Sequence, residues 1–224
     1  TVQFGNTVGN STAVGAVLIT GNLDLNAAVT SATSLEVSGT SNLGADVTTS
    51  GTQTYTGATT LSGGDRTLTG TTMNFGSTLT GTGSHDLTVT GNLDLDGALT
   101  DVVDLSVSGT SNLGANVTTS GTQTYTGAVT LSTDVTLTTT DSNVTFSSTV
   151  DGDGTAGTGE GADDGLGCVV VRSAGVNRKP VFPVEDRGVG NRLQLALKLG
   201  DVGLDLGAVD SLRRSLLFPA LCQG

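Results

Sequence analysis

Between residues 1 and 150 apolar side chains recur at even spacings around a set of glycines. Gly21, Gly39, Gly57, Gly70, Gly91, Gly109 and Gly127 each follow a Ser or Thr. Two residues before them stand Ile19, Val37, Tyr55, Leu68, Val89, Val107 and Tyr125. Four residues after come Leu25, Leu43, Leu61, Leu95, Leu113 and Leu131, with only the Gly70 unit departing, and eight after come Val29, Val47, Leu99, Val117 and Val135. Even spacing sends all these side chains off one face of an extended chain, whereas a helix would need steps of three and four. The pattern predicts strands. The abundance of Thr and Val, both β-branched, agrees with a pleated surface. The intervening Ser-Gly, Thr-Gly, Asn-Leu-Gly and Gly-Thr segments are turn and bend signals.

The glycines lie 18, 18, 13, 21, 18 and 18 residues apart. A unit of about 18 residues with one inward face cannot bury that face alone, so units must stack, each forming one coil. The predicted fold is all-β, a parallel β-helix or β-solenoid. An antiparallel β-sandwich is the alternative that short strands with regular turns also permit. A longer period lies over the short one: residues 21–62 match residues 91–132 at an offset of 70. From Val37 to Ala58 the copies differ only at Asp46 against Asn116, and Phe4, Phe75 and Phe146 mark the joins at spacings of 71. Two copies, about 1–70 and 71–140, and the start of a third are present. About nine coils at roughly 4.8 Å each would make a rod of roughly 40 Å.

Near-identical Thr/Ser/Gly/Asn-rich repeats such as SVSGTSNLGANVTTSGTQTYTGAVTLS resemble the arrays of very large bacterial exoproteins, the filamentous-haemagglutinin-like and autotransporter-passenger adhesins. The resemblance covers roughly residues 1–150 and rests on composition and repeat style. It implies a right-handed β-helix, secretion to the bacterial cell surface or the extracellular space, and work as a spacer or attachment surface. The ligand it implies is a host or surface component, glycan or protein. It carries over no functional residue.

Charge narrows the partners. Residues 1–164 hold 16 acids and one base, Arg66, for a net charge of -15, while residues 165–224 hold 5 acids and 8 bases, for +3. An acidic rod without a basic patch cannot neutralise phosphates, so neither nucleic acid nor an anionic membrane is an expected partner. No apolar run is long enough to span a bilayer, so no membrane insertion is expected. The chain begins TVQF, without Met or a signal peptide, and reads as an internal stretch whose secretion signal lies elsewhere. A solenoid cut across its axis leaves an unpaired coil at each end, so end-to-end self-association is expected.

The composition changes near residue 150. Residues 151–165 run DGDGTAGTGEGADDG, a Gly/Asp-rich stretch suited to a linker. After Thr158 there is no Thr, and Pro180, Pro183, Pro219, Cys168 and Cys222 all lie beyond it. Residues 166–224 are therefore atypical. They form either a small module, with Leu193, Leu195, Leu197 and Leu199 alternating in one strand and LGDVGLDLGAVDSL supplying another, or a non-native reading frame.

Several residues invite chemistry. Asp151, Asp153, Glu160, Asp163 and Asp164 could ligate calcium, since hard cations take several carboxylate oxygens; the run nevertheless lacks the acid that ends a 12-residue calcium loop and the nonapeptide pattern of calcium-binding β-rolls, and a solvated linker accounts for it. No other cofactor is indicated. Asp24, Asp94 and Asp96 stand opposite the leucines of their strands, where paired carboxylates would serve glycoside hydrolysis, but a solvated outer face is the preferred account of them. His85, the one histidine, stands in a Gly-Ser-His-Asp turn and cannot build a two-histidine metal site. Tyr55 and Tyr125 occupy inward positions and fill the core rather than line a sugar-binding strip. Cys168 and Cys222 could form a disulfide across the tail. Asn10, Asn116 and Asn143 head Asn-x-Ser/Thr triplets, expected by chance in so Thr-rich a chain.

Two functional classes remain. A structural or adhesive rod needs only stackable coils and a polar surface. A carbohydrate-active β-helix enzyme would need clustered acids, bases and aromatics in a groove, but the array has a single base and the chain no Trp, so the reading is a non-enzyme.

Overall fold

The computed structural model describes residues 1–82 and 85–152, together with the backbone of two later strands, Cys168–Ser173 and Gln194–Leu199. It is a right-handed β-solenoid of about eight turns, with no helix among the described residues. Among the described residues every strand pairing is parallel, which removes the antiparallel sandwich. Eight turns rather than nine form because successive coils are unequal. Leu23 pairs with Ser41 and Ser41 with Thr59, 18 residues on, whereas Thr59 pairs with Leu79 and Leu79 with Leu99, 20 residues on.

The strands stack in three columns. The first holds Val2–Phe4, Leu23–Leu25, Ser41–Leu43, Thr59–Leu61, Leu79–Gly81, Leu99–Val102, Val117–Thr119 and Val135–Thr139. The second begins with Val8 against Val29 and rises through Val47–Thr49, residues 66–69 and 87–89, Leu105–Val107, Gln123–Tyr125 and Val144–Phe146. The third rises from Val14–Ile19 through residues 35–37, Gln53–Tyr55, 73–75, 93–95, Ser111–Leu113, Val129–Leu131 and Val150–Gly152. Each inward position read from the glycine spacing, from Ile19 to Val135, is at most 3% exposed. Alternation along the strands thus sets the register, with the polar partners outside.

One expectation fails in detail. A glycine unit is not always a coil. Gly21, Gly39 and Gly57 turn the chain from the third column to the first, but Gly70, Gly91, Gly109 and Gly127 turn it from the second to the third. The 13-residue step from Gly57 to Gly70 spans two columns only, because one short strand, Thr59–Leu61, and the segment 66–69 fill it. Consequently the two copies do not superpose by translation along the axis. Ser41–Leu43 lies in the first column and its copy Ser111–Leu113 in the third; Gln53–Tyr55 lies in the third and its copy Gln123–Tyr125 in the second. Seventy residues make three coils and two-thirds of a fourth, so each copy is rotated by one column. A register shift follows the sequence around the axis too, between Val29 and Ala32 in one copy and between Leu99 and Val102 in the other.

Glycine is needed at the corners because coils approach closely there. Gly51, Gly70, Gly91, Gly109 and Gly127 sit one above another, and a Cβ on Gly109 would fall 2.5 Å from the Gly91 carbonyl oxygen. The Gly109 N–H donates to that same oxygen at 2.9 Å. Later in the chain Cys168–Ser173 pairs in parallel with Val135–Thr139, and Gln194–Leu199 pairs in parallel with Cys168–Ser173. The predicted strand of alternating leucines is therefore present from Gln194 to Leu199, and most of LGDVGLDLGAVDSL lies outside the described residues.

Candidate functional surface

Several outward Asp, Asn and Ser side chains tie one coil to the next. Asp24 accepts from the Asn42 amide at 2.9 Å, and Asn42 in turn accepts from the Ser62 hydroxyl at 2.7 Å. The second copy repeats the chain: Asp94 accepts from Asn112 at 2.8 Å, and Asn112 from Ser132. At the corners an Asx oxygen receives a backbone N–H from the coil above, as Asn22 does from Thr40 and Asn92 from Thr110. One edge of the second column is acidic. Asp65 accepts from the Asp86 N–H at 3.0 Å, Asp86 from the Asp104 N–H at 3.1 Å, and Asp104 from the N–H and hydroxyl of Thr122. These ladders stabilise the stack as cross-strand pairs do in any sheet.

The lone difference between the copies from Val37 to Ala58 has an electrostatic counterpart. Asp46 accepts the Thr67 N–H at 3.0 Å, and Asn116 accepts the Thr136 N–H at 2.7 Å, so the oxygen acceptor is kept. Leu68 and Leu137 hold the same place above Val47 and Val117, which makes Arg66 the counterpart of Val135. Arg66 approaches Asp46 at 3.6 Å, with 10% of its side chain exposed and 53% of the aspartate's. A carboxylate therefore stands where its neighbour is a guanidinium, and a neutral amide where the neighbour is Val.

Asp24 stands in the first column of the second coil, and Asp94 in the third column of the fifth, three coils higher; Asp96 is exposed at the corner after Leu95. Asp24 and Asp94 are thus not brought together. The amides of Asn42 and then Asn26 donate to Asp24 and hold its carboxyl below the ordinary value, with Gln3 a lesser donor and burial opposing slightly. Asp151 is exposed and pairs with Thr130, while Asp153, Glu160, Asp163 and Asp164 lie outside the described residues. Among the described residues no group of three or more His, Cys, Asp or Glu is placed to hold a metal ion. His85 is half-buried rather than a free turn residue, and its carbonyl accepts from the Val103 N–H at 2.9 Å. Asn10 and Asn116 are exposed and Asn143 is half-buried; Cys168 is described only in its backbone, and Cys222 lies outside the described residues.

The tyrosines are interior, as expected, and they have partners that the sequence did not disclose. Tyr55 stacks on Phe75 one coil above, centroids 5.2 Å apart and planes at 13°, and Tyr125 stacks on Phe146 at 5.3 Å and 15°. Each hydroxyl donates to the Oε1 of the glutamine two residues before it, Tyr55 to Gln53 at 2.9 Å and Tyr125 to Gln123 at 3.2 Å. The glutamine Nε2 completes the set on backbone: Gln53 donates to the carbonyls of Val47 and Thr69, Gln123 to those of Val117 and Thr138. Both glutamines are fully buried. Their signal lay in the spacing, because Gln53 and Gln123 share the even register of the tyrosines.

No family model, no curated protein and no solved structure matches the chain. Among the described residues no helix is long and apolar enough to cross a membrane.

Proposed function

We propose that this chain is a structural and adhesive repeat segment of a large bacterial secreted or cell-surface protein, acting as a stalk or attachment surface. One observation carries the reading: the interior of successive coils is filled by matching side chains, while outer Asp, Asn and Ser residues join coil to coil. Such a surface serves length and rigidity, since each coil needs only its neighbours and the array extends by repetition. Attachment, where it occurs, would use the exposed polar face toward a host or surface glycan or protein. Antibodies raised against residues 1–152 are expected to label intact cells of the source bacterium, and brief external protease treatment is expected to remove the label. Labelling that requires permeabilised cells would overturn the surface assignment.

A further inference from the structure

The outward face of the second column carries hydroxyls in two ranks. Five successive coils place on it Thr67-Leu68-Thr69, Thr88-Val89-Thr90, Ser106-Val107-Ser108, Thr124-Tyr125-Thr126 and Thr145-Phe146-Ser147. In each triplet the middle side chain is buried and the outer two are exposed or half-buried. The first rank is in direct register, Thr67 under Thr88, Thr88 under Ser106, Ser106 under Thr124 and Thr124 under Thr145. The second rank follows it. Thr69 lies under Thr90, and the N–H groups of Ser108, Thr126 and Ser147 donate at 2.9–3.0 Å to the carbonyls of Val89, Val107 and Tyr125 one coil below.

These hydroxyls follow the face rather than the repeat. The copies of Thr88, Ser106, Thr145 and Ser147 are Leu18, Glu36, Asn74 and Gly76, and those four stand in the third column. At the other six positions both copies have Thr or Ser. Wherever the copies diverge, the one turned to the second column carries the hydroxyl. The hydroxyls are also left free. On the third column Asp94 is bonded to Asn112, and Asn112 to Ser132. On this face, among the described residues, only the Ser108 hydroxyl is bonded within the protein, accepting the Gly91 N–H. Asp65, Asp86 and Asp104 border the face, and their carboxylates accept backbone N–H groups, so the lattice between them is neutral in a chain of net charge -12.

The sheet holds these side chains roughly 4.8 Å apart along the axis and roughly 6.7 Å apart across it. Seven of the ten are Thr, whose branched side chain keeps few rotamers, so hydroxyl and methyl are both fixed in place. Tyr125 and Phe146 are turned inside, so the face offers a sugar no ring to stack on. It suits a ligand that is itself flat, neutral and periodic in donors and acceptors. Water at a prism face of ice is such a ligand, with oxygens recurring at spacings near these two. The methyls restrict the water between the hydroxyls, and a rigid face loses little entropy when that water becomes part of a crystal. We propose that the hydroxyl lattice of the second column is an ice-binding face. It is a property of the array and does not depend on where the parent protein resides.

The test follows single ice crystals in solutions of the full chain with a nanolitre osmometer. The chain is expected to hold crystals unchanged between the melting point and a lower freezing point, and to give them facets. Thr88→Lys combined with Ser106→Lys, two exposed positions within the face, is expected to lose that gap, whereas Thr130→Lys on the third column keeps it. Circular dichroism melts check that each chain is folded. Ser106→Thr adds a methyl to the lattice and is expected to widen the gap. Round crystals that grow without a gap at every soluble concentration would overturn the inference, as would an undiminished gap in the folded double variant. Retention on microcrystalline cellulose together with free ice growth would overturn it too, by showing that the face takes a polysaccharide lattice instead.

Discussion

Gln53 and Gln123 show how a polar residue is accommodated in an interior made mostly of Leu, Val and aromatic rings. A buried amide is tolerated only when its donors and acceptor are met, and here the two N–H groups reach backbone carbonyls while the tyrosine hydroxyl fills Oε1. Removing the hydroxyl strands that oxygen. Tyr125→Phe should therefore cost about 1–3 kcal/mol in denaturant melts, although the ring stack on Phe146 is untouched. Ser41 and Ser111 are the opposite case. Their hydroxyls are buried without a hydrogen-bond partner, at the same place in the two copies. Ser111→Ala removes an unpaired dipole at little cost in volume, so it should leave the midpoint unchanged or raise it by up to about 1 kcal/mol equivalent, and a loss beyond that would show that the hydroxyl is paired in solution. Both features were half-legible: even spacing assigned these positions to the inside, but spacing alone does not say which polar side chains find partners there.

At the scale of the strand, register decides everything, because a slip of one residue exchanges core and surface. Leu105–Val107 tests it. Val107 is fully buried between Val89 below and Tyr125 above, whereas Ser106 is exposed. Val107→Lys should destabilise the array by several kcal/mol, since the ammonium loses its hydration without a partner, while Ser106→Lys should stay within about 0.5 kcal/mol. Ser108 also faces outward but is a poorer control: its hydroxyl oxygen accepts the Gly91 N–H at 3.0 Å. Thermal melts followed by circular dichroism measure both variants, and equal small effects would overturn the assigned faces. The strands and their inward sides were readable from parity, but the corner each glycine turns was not. Ser-Gly and Thr-Gly look the same at either corner, and only the count of strands filling the 13 residues between Gly57 and Gly70 reveals that the pattern has moved to another column.

In the whole molecule that shift makes the repeat a screw: near-identical copies face different directions, yet their interiors are built alike. Tyr55 under Phe75 in the third column and Tyr125 under Phe146 in the second are equivalent sites, and burial pushes both phenols far above the ordinary value of 10.0. The linkage has a definite sign. Below pH 10 both states hold the phenolic protons and these groups add no pH dependence. Above it the unfolded chain loses them while the folded chain keeps them, so stability falls as pH rises. Each tyrosine should remove about 1.4 kcal/mol per pH unit in that range. The chain has two tyrosines and no tryptophan, so the phenolate absorbance of the whole protein reports these two buried rings and nothing else. In an alkaline titration that absorbance should stay absent through pH 10 and then appear together with loss of the β-sheet circular dichroism. Nearest-neighbour stacking makes the shape of the transition informative as well, because the rings lie more than three coils apart. A single step shows the intervening coils melting as one unit, whereas two equal steps would mean that the copies unfold separately. Gradual ionisation near pH 10 with the dichroism intact would place the tyrosines in water and contradict the assigned core.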